Sequence, residues 1–177
     1  LLPLGVRVMR KLEAILRDEM DALGGQEVRL PVVQPAEVWQ KTGRWDTFGP
    51  VLQRFEGPGG RGFALAPTGE EIVGALSAGT LGSYKHLPQL IYQIQTKYRA
   101  EARPRGGLIR LREFTMKDAY SLDATLADQD AGYDRMVAAY MRIFDRVDVD
   151  VIPVDADSGS MGGKSSQEFV LAHDDGE

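Results

Sequence analysis

Cysteine is absent from the 177 residues, which removes disulfides, zinc–thiolate centres and thiol nucleophiles from consideration. Histidine is nearly absent. His86 and His173 are too few for a histidine-rich metal centre, and by themselves give no basis for a Ser-His-Asp triad. No apolar run approaches the length of a bilayer span, no leader peptide is visible, and there is neither an internal repeat nor a low-complexity tract. Positive charge is not in surplus either. The formal net charge is −5, whereas a chain that held nucleic acid by its overall field would be basic. A nucleic-acid partner must therefore be met by a local patch.

What is present is an ordinary globular composition, 43% hydrophobic and 27% charged, long enough to bury a core without covalent staples. The length suits one domain or a domain and a half. The first residue is Leu1, not Met, and it falls inside an apolar pattern. A piece of a longer protein is the expectation.

Val8, Leu12, Ile15, Leu16 and Leu23 share one helical face, and Gly24-Gly25 stop it, so a helix is expected over about residues 5–23. Val28, Leu30 and Val32 alternate and predict one strand running into Pro31-Val32-Val33. Pro35 then suits the first position of a short helix carrying Val38 and Trp39. The turn signal Gly57-Pro58-Gly59-Gly60 separates apolar pieces at 51–55 and 63–65, a hairpin pattern. Thr68 and Glu71 have the spacing of a capping box before a helix. Tyr92, Ile94, Thr96 and Tyr98 alternate in a strand, and residues 108–119 return as its partner after the loop Arg103-Pro104-Arg105-Gly106-Gly107. A late helix carries Tyr133, Met136, Val137, Tyr140, Ile143 and Phe144. A strand starts near Val149–Ile152, a Gly/Ser loop follows over 158–166, and Glu168-Phe169-Val170-Leu171 reads as a last strand. Without a regular βαβ alternation, the class is α+β, an antiparallel sheet flanked by helices.

The stretch from Tyr98 to Phe114 carries chemistry. It holds five arginines and two glutamates across the expected hairpin. Arg99 and Glu101, two apart on a strand, would point to one face, as would Arg110, Arg112 and Phe114. Guanidinium groups pair with phosphate or carboxylate oxygens, and an aromatic ring offers a plane for a base. The set describes a nucleotide triphosphate site on a sheet. Neither GxxxxGK[ST] nor GxGxxG is present. Gly162-Gly163-Lys164-Ser165 lacks the first glycine of a P-loop.

Arg99-x-Glu101, a loop and Arg110-x-x-x-Phe114 resemble motif 2 of class II aminoacyl-tRNA synthetases. Gly25-x-x-Val28-x-x-Pro31-Val32-Val33 resembles motif 1. The words Arg103-Pro104-Arg105, Arg112-Glu113-Phe114-Thr115-Met116-Lys117-Asp118-Ala119-Tyr120-Ser121, Gly43-Arg44-Trp45, Pro67-Thr68-Gly69-Glu70-Glu71 and Tyr92-Gln93-Ile94-Gln95-Thr96-Lys97 resemble the bacterial-type prolyl-tRNA synthetase family. The likeness runs over almost the whole chain.

That resemblance implies ATP-dependent activation of proline to prolyl-adenylate, then transfer to tRNA(Pro). In it Arg99 is the catalytic residue and holds the α-phosphate and the substrate carboxylate. Glu101 faces the base side of ATP, Arg110 binds the outer phosphates and Phe114 covers the adenine. Thr68 and Glu70 meet the proline amine, with Arg99 and Glu168 completing the proline site. At position 167 this chain has Gln167 where the family has histidine. Arg103 and Arg105, and less directly Arg61, would contact the tRNA acceptor end. Magnesium is expected with the ATP; no zinc and no protein-bound metal are expected. The family further implies a homodimer through the motif 1 region, a cytoplasmic location and no membrane partner. On this reading residues 1–177 are the first part of the class II catalytic domain. Motif 3, an editing insertion that clears mischarged alanyl-tRNA(Pro) and the anticodon-binding domain would lie outside, and the isolated piece would be inactive. The alternatives are a non-catalytic paralogue that keeps the adenylate pocket and a threonyl- or seryl-type enzyme.

Other residues read more plainly. Trp39 and Trp45 are expected as buried aromatics, and His86 as loop packing. Lys117-Asp118 reads as a salt bridge supporting the sheet. Asp145, Asp148 and Asp150 are too spread for a calcium site.

Overall fold

The structure is a computed structural model and describes residues 1–159, 163 and 165–174. The middle of the expected Gly/Ser loop, including Gly162 and Lys164 of the rejected phosphate-loop ending, lies outside the described residues, as do the last three positions. The chain divides into two compact units, one made of Leu1–Leu23 with Asp130–Glu177 and the other of Gly24–Gln129.

In the unit built from the two chain ends, α1 (Pro3–Ala22) begins with a proline whose missing N–H is not needed in a first turn. It ends before Gly24, whose φ of +79° closes the helix in the left-handed region. Helix α5 (Leu126–Arg146), most of which lies in this unit, joins α1 through charged groups. Arg142 Nε donates to Glu19 Oε2 at 2.7 Å, and Arg146 donates to Glu19 Oε1 at 3.0 Å and to Asp18 Oδ2 at 2.7 Å. Met20, Ala139 and Ile143 are buried. Strands β7 (Ile152–Asp155) and β8 (Gln167–Val170) pair antiparallel, and Phe169 of β8 stacks on Tyr140 with ring centroids 5.1 Å apart.

The central unit holds two small sheets. In one, β4 (Gly62–Leu65) lies between β2 (Val33–Pro35) and β3 (Arg54–Glu56), all antiparallel. This is the hairpin expected from the glycine-rich turn. Its inner face, with Gln34 and Ala64 buried, packs on α2 (Ala36–Lys41) around Trp39 and Leu52. Trp39 is fully buried and Trp45 packs beside it. Pro35 is the last residue of β2 and caps α2 rather than starting it. A four-residue α3 (Arg44–Thr47) follows.

The other sheet is dominated by a ten-residue hairpin of β5 (Gln89–Tyr98) and β6 (Glu113–Leu122), with β1 (Gln26–Glu27) parallel to β5. Two corrections concern its edges. The single strand expected from Val28 to Val33 does not form: β1 ends at Glu27, β2 begins at Val33 in the other sheet, and between them Pro31 has no N–H for a ladder. Gln93 and Gln95 reach across instead: Leu30 N–H donates to Gln93 Oε1 at 3.4 Å, and Gln95 Nε2 donates to the Leu30 carbonyl at 2.8 Å. The return strand starts at Glu113, not at residue 108. Gly106 and Gly107 take φ of +67° and +61°, and the chain turns through the residues after them before the ladder forms.

Candidate active site

Register decides which side chains meet. Gln93 lies opposite Asp118, Ile91 opposite Tyr120, and Lys97 opposite Phe114. Side chains alternate between sheet faces, so Gln93, Gln95 and Lys97 of β5 share a face with Phe114, Met116, Asp118 and Tyr120 of β6. Tyr92, Ile94, Thr96 and Tyr98 take the other face, as the sequence pattern requires.

Arg99 and Glu101 are not strand residues. They follow the end of β5, in a segment tied down by backbone bonds: Arg99 N–H to the Arg112 carbonyl at 2.8 Å and Ala100 N–H to the Val51 carbonyl at 2.9 Å. The Arg99 side chain nonetheless joins the site face. Its guanidinium stands 5.4 Å from the Phe114 ring centroid, a cation–π contact, and its Nε donates to the Pro67 carbonyl at 3.4 Å. The residues expected to hold the α-phosphate and the adenine are thus in contact, beside the segment that carries Thr68.

Glu101 and Arg110 meet at the base of the 103–110 loop. Arg110 Nε is 3.2 Å from Glu101 Oε2, Arg103 N–H donates to Glu101 Oε1 at 2.9 Å, and Arg112 Nε donates to the Glu101 carbonyl at 2.9 Å. The backbone hydrogen bond from Arg103, with the Arg110 charge beside it, holds the Glu101 carboxyl below the usual carboxylate range. Arg103, Arg105 and Arg110 are exposed.

Helix α4 (Glu70–Thr80) starts immediately after Gly69. The capping box read from Thr68 and Glu71 does not form. Gly69 is the cap, and the Thr68 hydroxyl donates to the Glu70 carboxylate instead. Thr68 is 3% exposed, whereas the Glu70 side chain is 38% exposed. Glu71 turns inward to Arg44, Oε1 to guanidinium 2.9 Å, and the same guanidinium is 3.8 Å from Glu70 and 4.8 Å from the Phe48 ring centroid. Burial pushes the Glu71 carboxyl above its ordinary value and outweighs the pull of Arg44.

A polar network missed by sequence reasoning lies under this turn. Lys97, 1% exposed, pairs with Asp118 at 2.9 Å. Gln93 Nε2 donates to Asp118 Oδ2 at 2.8 Å, the Tyr120 hydroxyl donates to the same oxygen, and Gly69 N–H donates to the Tyr120 oxygen at 3.0 Å. The salt bridge expected at Lys117-Asp118 to support the sheet forms at Asp118, with its cation from Lys97 on the facing strand, since neighbours on a strand point to opposite faces. Burial first, then the negative charge of Glu70 and the bond to Asp118, keep the Tyr120 phenol protonated far above its usual range.

Glu168, the last expected site residue, belongs to the other unit. It is exposed on β8 and, with Gln167, Phe169, Tyr140 and Phe144, lines a cavity of about 550 Å³. Arg61 forms an exposed ion pair with Glu37, and His86 is exposed in a single helical turn.

The profile of the tRNA synthetase class II core domain (G, H, P, S and T) matches residues 54–174. The chain belongs to that family. Among curated relatives, a proline–tRNA ligase of Chromobacterium violaceum is 54% identical over 176 residues, and one of Pelotomaculum thermopropionicum is 51% identical over the same length. Each alignment takes in 99% of this chain but 31% of the relative, so the chain spans about a third of their length. A solved structure of Giardia lamblia prolyl-tRNA synthetase in complex with prolyl-adenylate matches with a TM-score of 0.80 at 23% identity, over 86% of this chain and 32% of that one. The mixed α+β architecture with antiparallel sheets is therefore the class II core fold, in part. Among the described residues no helix is long and apolar enough to cross a membrane.

Proposed function

We propose that the full-length protein carrying this chain is a proline–tRNA ligase. The observation that carries the reading is the junction of Arg99 with both Phe114 and the Pro67–Thr68 segment, which sets a cation and an aromatic plane beside a hydroxyl–carboxylate pair. The high identity to two proline–tRNA ligases over almost the whole chain supports the choice of amino acid.

A zwitterionic substrate needs two opposite receptors. Thr68 and Glu70 take the ring ammonium: the carboxylate accepts its N–H groups, and the threonine hydroxyl, already donating to Glu70, offers its lone pairs. Arg99 takes the carboxylate and the α-phosphate of ATP. The carboxylate oxygen attacks the α-phosphorus, the bond to the bridging oxygen breaks, and pyrophosphate leaves with that electron pair. A ribose hydroxyl at the tRNA end then attacks the carbonyl carbon, the acyl–oxygen bond breaks, and AMP departs with its electron pair while the hydroxyl proton passes to the phosphate. The first step forces two anions together, and a fixed guanidinium offsets their repulsion without reorganising. Positioning supplies most of the rest. No protein nucleophile is needed.

Phe114 stacks the adenine, Glu101 faces its amino group, and Arg110 meets the outer phosphates, which arrive with magnesium. Arg103 and Arg105, on the exposed loop, contact the acceptor end of tRNA(Pro). The chain is the first part of the catalytic domain, with motif 3, any editing insertion and the anticodon-binding domain elsewhere in the protein. It acts in the cytoplasm as a homodimer through the motif 1 region, and the exposed Leu4 and Val8 of α1, with Leu1 and Leu2 before it, offer apolar surface for such a contact.

ATP–pyrophosphate exchange by the full-length protein, run with each amino acid, is the test. Exchange that requires proline supports the reading, and Arg99→Met should lower it at least about tenfold, the loss of one charge-assisted bond. Exchange with threonine or serine in place of proline, or with none, overturns it, the last outcome favouring a non-catalytic paralogue.

A further inference from the structure

The adenylation reading uses Thr68, Glu70, Arg99 and Phe114 and leaves the buried network beneath them without a task. Four side chains of one sheet face converge there. Asp118, 9% exposed, forms an ion pair with Lys97 Nζ through one oxygen at 2.9 Å and accepts Gln93 Nε2 at 2.8 Å together with the Tyr120 hydroxyl on the other. An ionised carboxylate can only accept hydrogen bonds, so the phenolic proton must point at Asp118. The phenolic oxygen is then left as an acceptor, and it receives Gly69 N–H at 3.0 Å. The direction of these bonds is fixed, and the chain ends on the Thr68–Gly69 peptide, with the Thr68 side chain also bonded to the phenol.

Gly69 carries an independent sign of the same fit. Its φ of −123° lies outside the left-handed region, so the backbone does not demand glycine. Space does. A Cβ there would lie 2.7 Å from the Tyr120 oxygen, 2.9 Å from Gln93 Nε2 and 3.0 Å from Asp118 Oδ2. The turn rests directly on the network with no side chain between.

We propose that Tyr120 is a positioning residue for amino-acid recognition: held on Asp118 by Lys97 and Gln93, its hydroxyl grips the Gly69 N–H and thereby sets the Thr68 hydroxyl and the Glu70 carboxylate at the spacing that receives the substrate amine. The inference rests on the reading that those two groups bind the amine. The phenol touches no reacting atom; it acts through the turn. Loss of its grip loosens the amine receptor but leaves Arg99 and Phe114, and with them ATP binding, as they were.

The experiment is ATP–pyrophosphate exchange by the full-length protein, with proline and ATP varied separately, for wild type, Tyr120→Phe and Gly69→Ala. Tyr120→Phe removes one oxygen. Gly69→Ala keeps every polar group but pushes the turn off the phenol, and it remains informative if the first variant fails to fold. Both should raise the KM for proline about tenfold, the loss of one hydrogen bond in a charged network, with the KM for ATP within about twofold of wild type. Loss of folded protein alone would lower kcat and leave both KM values in place; that result, an unchanged proline KM, or an equal rise in both KM values overturns the inference. The wild-type arm separates the two claims. If wild type does not exchange with proline, the amine reading fails and the positioning role falls with it. If wild type exchanges and the variants keep its proline KM, only the positioning role is lost.

Discussion

Removing the Lys97 ammonium should uncouple β5 from β6 far more than removing a surface lysine. The ammonium is 1% exposed and its Nζ stands 2.9 Å from Asp118 Oδ1. At that distance two unit charges attract by about 6 kcal/mol for an effective dielectric near 20. Lys97→Met deletes the attraction and fills the space, but leaves Asp118 buried with only Gln93 and Tyr120 as donors. Breaking such a pair from one side costs about 3–5 kcal/mol, because the stranded charge keeps its desolvation penalty. Lys97→Met/Asp118→Asn removes both charges and keeps an oxygen for Gln93 and Tyr120, so most of the loss should be recovered. Native-state hydrogen exchange of the β5 and β6 amides reads this directly, since protected amides report the free energy of opening. The single variant should speed exchange by two to three decades or more, by the conversion of about 1.4 kcal/mol per decade. The double variant should fall within about one decade of wild type. Exchange in Lys97→Met within threefold of wild type would show that the pair contributes little. A double variant worse than Lys97→Met alone would show that the charges do not act as a pair.

Two further outcomes concern other parts of the chain. Gly57→Ala would place a Cβ 2.5 Å from Phe63 Cε2, against a ring already stacked on Phe55; overpacking of this kind costs about 1–3 kcal/mol, and a melting temperature equal to wild type would mean that the ring moves aside freely. Glu19 carries a pH prediction: the hydrogen bond from Arg142, helped by Arg146, holds its carboxyl below the ordinary value despite burial. Its contribution to joining α1 and α5 is then complete above the ordinary carboxylate pKa and is lost as pH falls through the lowered folded value. In an acid titration followed by circular dichroism, wild type should start more stable than Glu19→Gln and converge on it at low pH; parallel curves would deny the linkage.

Much of this architecture was legible because periodicity and punctuation agree. The helical stripe before Gly24, the glycine-rich turn at residues 57–60 and the alternation from Tyr92 to Tyr98 each name one element, and each forms. The failures share a cause. Val28 to Val33 alternates like a strand, yet Pro31 forbids the ladder and two glutamine side chains take its place. Thr68 and Glu71 have capping spacing, yet Glu70 is nearer to the hydroxyl and Arg44 draws Glu71 away. Local pattern proposes a partner, and a side chain distant in sequence supplies a better one. The arginine loop was visible because cations are conspicuous in an acidic chain. The network of Gln93, Lys97, Asp118 and Tyr120 was not, because polar residues at alternate strand positions read as a solvated face. Only the hairpin register reveals that this face is covered. The signal was present in Lys117-Asp118-Ala119-Tyr120, where the strand period separates Lys117 from Asp118 and sets Asp118 with Tyr120.

On the proposed reading, the two ends of the substrate are received by groups one short segment apart. Arg99 bonds the carbonyl of Pro67, and Thr68, Gly69 and Glu70 follow at once. The spacing between the carboxylate receptor and the amine receptor is therefore set by how that segment is held. Besides the bond from Ala66 N–H to the Val32 carbonyl at 2.8 Å, two anchors hold it: Tyr98 N–H donates to the Ala66 carbonyl at 2.9 Å on one side, and Gly69 N–H donates to Tyr120 at 3.0 Å on the other. Both anchors come from the β5–β6 hairpin, which also carries Phe114 and leads into Arg99. A single ten-residue ladder thus sets the base plane, the phosphate cation and the amine receptor in one frame. Selectivity for a small, rigid amino acid requires such a frame, because a pocket that discriminates through few atoms cannot tolerate drift between its two ends.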